Sequence, residues 1–139
     1  MGLALPGLSG LPFCAGGPSG LTCPAAIPLA SGVAKLVSVP SGDRWYRFVA
    51  PADGVIDVDW TNTSGGGDLS VYIGGSCASL PAPSLYEAAD NDQSGSWVVS
   101  AGDVVRVQIE GGPVTGTLTI TQQIFSRQMT RIPSFANQL

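Results

Sequence analysis

Asp68, Asp90, Asn91 and Asp92 form the one oxygen-rich constellation in this sequence. Calcium takes about six to eight hard oxygen ligands, and loop carboxylates with Asn supply such a set. Asp68, Asp90 and Asp92 are the residues that would hold it. The spacing is not that of an EF-hand loop, which needs acids at alternate positions and a closing Glu. The other reading is an Asx-rich turn whose side chains bond their own backbone. Asp57 and Asp59 are a second carboxylate pair, two apart on one strand face. Glycosidases set two carboxylates across a cleft. Two acids on one exposed strand face read as a solvated side. Trp45, Tyr46, Trp60, Tyr72, Tyr86 and Trp97 offer rings for stacking on sugars. Trp60 alternates in phase with Ile56 and Val58, which places it in a core. Tyr72 and Tyr86 are the surface candidates for glycan contact. Gly65-Gly66-Gly67 is no phosphate loop, because neither a Lys nor a helical pattern follows it.

Composition narrows the chemistry. The chain has 139 residues, no His, a net charge of −4 and 12% charged residues. Without His it lacks the commonest general base and metal ligand, and no Ser-His-Asp or Cys-His centre can form within it. The acidic balance offers no whole-chain field for nucleic acid. The expectation is a protein that is not an enzyme, with no cofactor beyond the calcium alternative. The low charge and 44% hydrophobic content speak for a folded core. Three cysteines allow at most one internal bridge. Cys14 and Cys23 lie in one flexible stretch, where a bridge is sterically easy. Three reduced thiols, or a thiol shared with another chain, are the alternatives.

The elements that must position these residues fall into three parts. Residues 1–32 read as an extended arm. The first 34 residues carry no charge and hold seven Gly and five Pro. Pro removes backbone donors, and Gly weakens helices and strands. The Pro and Gly break up any stretch approaching the roughly 20 apolar residues that a spanning helix needs. No basic segment opens a signal peptide. Neither a membrane partner nor a leader is expected. Leu3, Leu5, Leu8, Leu11 and Phe13 are apolar anchors with no fold of their own to bury them.

Residues 33–123 read as an all-β domain. Apolar and polar residues alternate with period two over Val33–Val39, Arg44–Val49, Val55–Thr61, Asp68–Ile73, Trp97–Ser100, Val104–Glu110 and Thr115–Gln122. Turn residues separate the runs. One apolar and one polar face per strand predicts antiparallel sheets wet on one side. Seven or eight short strands in this length predict a jelly-roll-like antiparallel β-sandwich. Residues 124–139 form a tail carrying Arg127 and Arg131 and no acid, punctuated by Phe125 and Phe135. The body from 35 to 110 carries −6 and the tail +2. The tail reads equally as an amphipathic helix on its own domain or as a contact for a neighbouring copy.

The run Trp45-Tyr46-Arg47-Phe48-Val49-Ala50-Pro51-Ala52-Asp53-Gly54, an aromatic strand entering a Pro/Gly turn, resembles the bacterial pre-peptidase C-terminal domain. Gly67-Asp68-Leu69-Ser70-Val71-Tyr72, Ala101-Gly102-Asp103-Val104-Val105-Arg106-Val107 and Gly116-Thr117-Leu118-Thr119-Ile120 resemble its later strands. The resemblance covers Trp45 to Thr121. It implies a non-catalytic β-sandwich of the kind attached to secreted enzymes. It also implies binding to surfaces or polymers, with calcium in some related domains.

A small sandwich with a clasping segment at each end, opening on Met, also resembles phage capsid decoration proteins. The first expectation is therefore a virion structural protein on the capsid surface. Leu3, Leu5, Leu8, Leu11, Phe13, Phe125, Arg127, Arg131 and Phe135 would hold it to the major capsid protein or other virion subunits, as an oligomer or on a lattice. A tail, neck or fibre component is the near alternative. An extracellular, PPC-like module that binds glycan or host surface is the other class. On the first expectation, deleting residues 1–32 abolishes incorporation into particles and leaves the sandwich folded. Sedimentation with particles and circular dichroism of the truncated chain check the two halves of that statement.

Overall fold

A computed structural model describes residues 19–125, and these are almost entirely β. A 3-10 turn at Cys23–Ala25 is followed by β1 (Ile27–Pro28), β2 (Lys35–Val39), β3 (Asp43–Val49) and β4 (Gly54–Ile73). Then come β5 (Leu85–Ala88), β6 (Gln93–Val99) and β7 (Val104–Ile124). Alternation drives each of them. In β4, Ile56, Val58 and Trp60 are buried while Asp59 and Thr61 face water. In β7, Val105, Val107 and Ile109 are buried and Arg106, Gln108 and Glu110 are partly exposed.

β4 and β7 pair antiparallel along nearly their whole lengths, from Gly54↔Ile124 to Ile73↔Val105. The hydrogen-bonded order is β1-β3-β7-β4-β5, with β2 also on β7 and β6 also on β4. The partners divide by half-strand. Val104–Glu110 of β7 carries β3, and Asp68–Val71 of β4 carries β5. Val114–Leu118 of β7 carries β2, and Gly54–Trp60 of β4 carries β6. Each long strand therefore serves two layers, a front sheet β1-β3-β7-β4-β5 and a back sheet β2-β7-β4-β6. Tyr46, Phe48, Leu69 and Val107 of the front belong to one core with Val37, Ile56, Trp60 and Leu118 of the back. That is a β-sandwich, as the alternation predicts.

The crossing between layers is built on glycine. The β4–β7 register shifts between Asn62 and Ser64 and between Gly65 and Gly67. Such bulges bend a strand without ending it. Gly65 has φ +79°, and a Cβ there would collide with the Pro113 carbonyl oxygen. The expected glycine turns are therefore continuous ladder. Val55–Thr61 and Asp68–Ile73 are halves of β4, and Val104–Glu110 and Thr115–Gln122 are halves of β7. β1 and β5 have no counterpart among the predicted strands. Leu85–Ala88 is too short, and too exposed at Tyr86, Glu87 and Ala88, to show a clear period.

The cysteine pairing also differs from expectation. Cys23 bonds Cys77, with Cα atoms 5.7 Å apart. The Cys14–Cys23 bridge does not form, and Cys14 itself lies outside the described residues. Sequence nearness loses because β3 draws residues 20–29 onto the front sheet. The Trp45 N–H donates to the Gly20 carbonyl at 2.6 Å, and β1 pairs parallel with Tyr46 and Arg47. The bridge closes a separation of 54 residues, which in the chain-entropy model is worth up to about 4 kcal/mol. Ser31 Oγ accepts from the Gln122 N–H, and the Gly32 N–H donates to Ile120. Deleting residues 1–32 thus removes the bridge, β1 and these bonds, a cost to the sandwich that its sequence does not announce.

Gly65→Ala is expected to lower stability by about 1–3 kcal/mol through left-handed strain alone, with the carbonyl clash in addition. Urea unfolding, compared with Gly42→Ala, checks it. Gly42 also has positive φ but has open space around its Cα.

Candidate functional site

The front sheet leaves its outer face without a second sandwich layer, and the register builds that face in rows. Asp43, Glu110 and Asp68 stand opposite one another on β3, β7 and β4. The next row is Trp45, Gln108, Ser70 and Tyr86, the last on β5. The third row is Arg47, Arg106 and Tyr72. An acidic band, an aromatic-amide band and a basic band thus run across the strands.

Hydrogen bonds lock these side chains into one arrangement. The Tyr72 ring stacks on Trp45 with centroids 6.0 Å apart and planes 22° from parallel. Its hydroxyl donates to Gln108 Oε1 at 3.3 Å. Gln108 Nε2 donates in turn to Asp43 Oδ2 at 3.2 Å. The Tyr86 hydroxyl donates to Asp68 Oδ2 at 3.2 Å. Arg106 Nη1 donates to the Gly74 and Gly75 carbonyls, which pins the loop after β4 at one end of the face. Like charges directly opposite destabilise a sheet. Asp43 and Asp68 each offset part of that by accepting one of these bonds.

The electrostatics follow from the neighbours. The Asp68 charge, and then its hydrogen bond, raise the Tyr86 phenol above its usual 10.0. Both favour the neutral ring. Tyr46, on the core side of β3, is also raised, by burial, with Arg44 pulling the other way. A phenol that holds its proton more tightly when folded supports stability below its unfolded value. That support is lost as pH rises through the raised one.

The glycan pair Tyr72 and Tyr86 does share this face, but the two rings differ. Tyr86 is 57% exposed. Tyr72 is half-buried and spent on Trp45 and Gln108. Trp60 lies in the core, its indole N–H donating to the Ala89 carbonyl at 2.8 Å. The calcium set is not brought together. Asp68 faces Tyr86, Asp92 Oδ1 accepts the Asn62 N–H at 2.8 Å, and Asp90 Oδ1 accepts from Asn91. Among the described residues no three His, Cys, Asp or Glu side chains converge to hold a metal ion. The loop carboxylates accept from the Asn62 backbone of β4 and from a neighbouring amide side chain, not from the backbone of their own turn. Asp57 accepts from the Ser96 hydroxyl on the back sheet, and Asp59 stands opposite Ser94 on the same face. Phe125 is exposed, and its N–H donates to the Asp53 carbonyl. Leu3, Leu5, Leu8, Leu11, Phe13, Arg127, Arg131 and Phe135 lie outside the described residues.

Gln108, Asp43 and Glu110 belong to the face and are not among the residues the sequence singled out. Their alternation with Tyr46, Val107 and Ile109 marks them as outward. Only the strand order makes them neighbours of Tyr72 and Asp68. No helix of the described residues is long and apolar enough to cross a membrane.

No protein-family model matches the sequence, and no curated protein does. Among solved structures, the fold is similar to the pre-peptidase C-terminal domain of a collagenase from Bacillus anthracis. The TM-score is 0.53 and the identity 16%, over 69% of this chain and 94% of that domain. The likeness establishes a PPC-like β-sandwich fold. A structure of PirA matches at 17% identity over 68% of this chain and 97% of its own, with a TM-score of 0.42, too low to bear on the fold.

Asp68→Asn is expected to lower the Tyr86 phenol toward 10.0. Ultraviolet titration, with Tyr86→Phe to assign the signal, checks it.

Proposed function

We propose that this chain is a non-catalytic binding module that holds an extended glycan on the outer face of the front sheet. The observation that carries the reading is Tyr86, an exposed ring fixed by Asp68 on the outer face of the front sheet. A sugar ring can stack on Tyr86 while its hydroxyls bond to the carboxylate and amide groups alongside. A face built in rows across several strands suits a polymer, which offers many equivalent units to it and needs no deep pocket. Neither calcium nor nucleic acid enters this reading.

The setting that fits is extracellular. A disulfide between distant segments persists in oxidising compartments and is rare in a reducing cytosol. The structural neighbour is named as one domain of a collagenase. Attachment of this module to, or its action beside, a secreted enzyme is compatible with that precedent.

A second reading has its own observation. Leu21, Val33 and Leu36 are 56%, 58% and 81% exposed near one described end, and Ile124 and Phe125 are exposed at the other. Apolar side chains at both ends suit attachment to a protein lattice, such as the capsid surface or the tail, neck or fibre of a virion. On that reading the sandwich is carried outward by its terminal segments.

The full-length protein is expected to be retained by at least one polysaccharide on a glycan array. Tyr86→Ala should weaken that retention about tenfold, which corresponds to ~1.4 kcal/mol, without altering the circular dichroism. No retention on any glycan, or equal retention by Tyr86→Ala, overturns the glycan reading. Co-sedimentation with virus particles that is lost in Leu21→Ser/Phe125→Ser would favour the second.

A further inference from the structure

Arg47 and Arg106 stand directly opposite each other on β3 and β7. Both point outward on the front sheet, because their strand neighbours Tyr46, Phe48, Val105 and Val107 are buried in the core. Like charges so placed destabilise a sheet. In the acidic row, Asp43 and Asp68 accept hydrogen bonds from Gln108 and Tyr86, which offset part of that cost. The basic pair has no carboxylate to do the same. All ten acidic side chains of the sequence lie in the described residues, and none stands in the rows beside the pair. One of those rows is Trp45, Gln108, Ser70 and Tyr86, and the other is Val49 and Val104.

The two guanidinium groups also keep donors in hand. An arginine side chain has five N–H donors in a planar fork that matches an oxyanion. Arg106 Nη1 donates to the Gly74 and Gly75 carbonyls at 3.3 and 3.4 Å, which orients the group without neutralising it. Among the described residues, the guanidinium hydrogen bonds are those of Arg44 and Arg106, and Arg47 makes none. Both Arg47 and Arg106 are partly exposed. Tyr72 flanks Arg106 in the same row and stacks on Trp45. Tyr86 lies two strands and one row away from Arg106, about 12 Å on ordinary strand spacings. That span suits an oligosaccharide rather than a single ring.

We infer that Arg47 and Arg106 form an oxyanion site, and that the glycan held on this face is an anionic one whose carboxylate or sulfate group bonds to both guanidinium groups. The ligand class rests on the glycan reading, and the oxyanion pair does not. An anion between the two arginines replaces their repulsion with two charge-assisted contacts. With one sugar ring on Tyr86, the charged group reaches the pair more than one unit further along the polymer. The acidic row of Asp43, Glu110 and Asp68 lies on the far side of the aromatic row and repels an anion there. The face therefore takes charge at one side only. That row and the net charge of −4 oppose a polyanion charged at every unit, as nucleic acid is.

Affinity electrophoresis of the full-length protein tests it. The gels contain hyaluronate, which carries carboxylates and no sulfate, keratan sulfate, which carries sulfates and no carboxylate, or neutral dextran. Retardation is expected in at least one anionic polymer and should fall as sodium chloride is added. Which polymer retards the protein separates carboxylate from sulfate. Arg47→Gln should weaken the retardation about tenfold, the scale of a hydrogen bond to a charged group. Its thermal unfolding temperature should stay level or rise, because the repulsion leaves with the charge. Arg47→Lys should recover part of the retardation, since it keeps the charge and loses the fork. Lys35→Gln, an equal charge change on β2, should leave it unaltered. No retardation in either anionic polymer overturns the inference. So does an equal loss in Lys35→Gln, no loss in Arg47→Gln, or a tighter hold on single-stranded DNA at the same ionic strength. Retardation by dextran alone, sensitive to Tyr86→Ala, overturns the inference and leaves the glycan reading standing. Loss in Arg47→Gln with no effect of Tyr86→Ala supports the oxyanion pair and overturns the reading built on Tyr86.

Discussion

The pairing of β4 with β7 is the constraint on which everything else hangs. Two strands of about twenty residues run antiparallel and bend together, so the same ladder supplies the middle of both sheets. Every other strand except β1 joins that ladder directly. The bend is possible because Gly65, Gly111 and Gly112 take positive φ where the backbones approach closely. A side chain at Gly65 would meet the Pro113 carbonyl, and one at Gly112 would meet the Val39 carbonyl. Apolar burial then closes the two halves on each other, with Trp60 anchoring the loop at Ala89 through its indole N–H.

One consequence is the character of the outer faces. The back sheet shows water Asp57 and Asp59 opposite Ser96 and Ser94, with Leu36 and Val98 also exposed. The front sheet is different. Its outward positions include Tyr72, Tyr86 and Trp45. The Tyr72–Gln108–Asp43 series gives the rings fixed orientations, and Asp68 does the same for Tyr86. A rigid aromatic surface costs less entropy on binding than a mobile one. This argues for placing recognition on the front sheet.

The likeness to the pre-peptidase C-terminal domain was legible in short motifs. Trp45–Gly54 is an aromatic strand into a turn, and Gly67–Tyr72 is a half-strand whose Asp and Tyr face outward. Those motifs sit where the sandwich needs them, and the fold similarity agrees with them at 16% identity. The candidate site was legible only in part. Tyr86 and Tyr72 stand on one face through the strand register, which their types do not reveal. The acids did not assemble as a metal site, because Asp92 and Asp90 are used by nearby donors and Asp68 by Tyr86. Gly65-Gly66-Gly67 looked like a turn because glycine runs usually end strands. Here the run carries a bulged ladder instead.

By itself the sequence determined the class of the fold and the inward or outward sense of nearly every strand residue. That is a local matter: side chains alternate with period two, so a few neighbours reveal which face is buried. It also determined, through the absence of His, which catalytic centres cannot form. Only the tertiary structure decided which strands stand side by side. With that came the row of Trp45, Gln108 and Tyr86, and the choice of Cys77 over Cys14 as the partner of Cys23. These depend on contacts between residues tens of positions apart. Such contacts are set by how two bent strands pack together, and no local pattern records that.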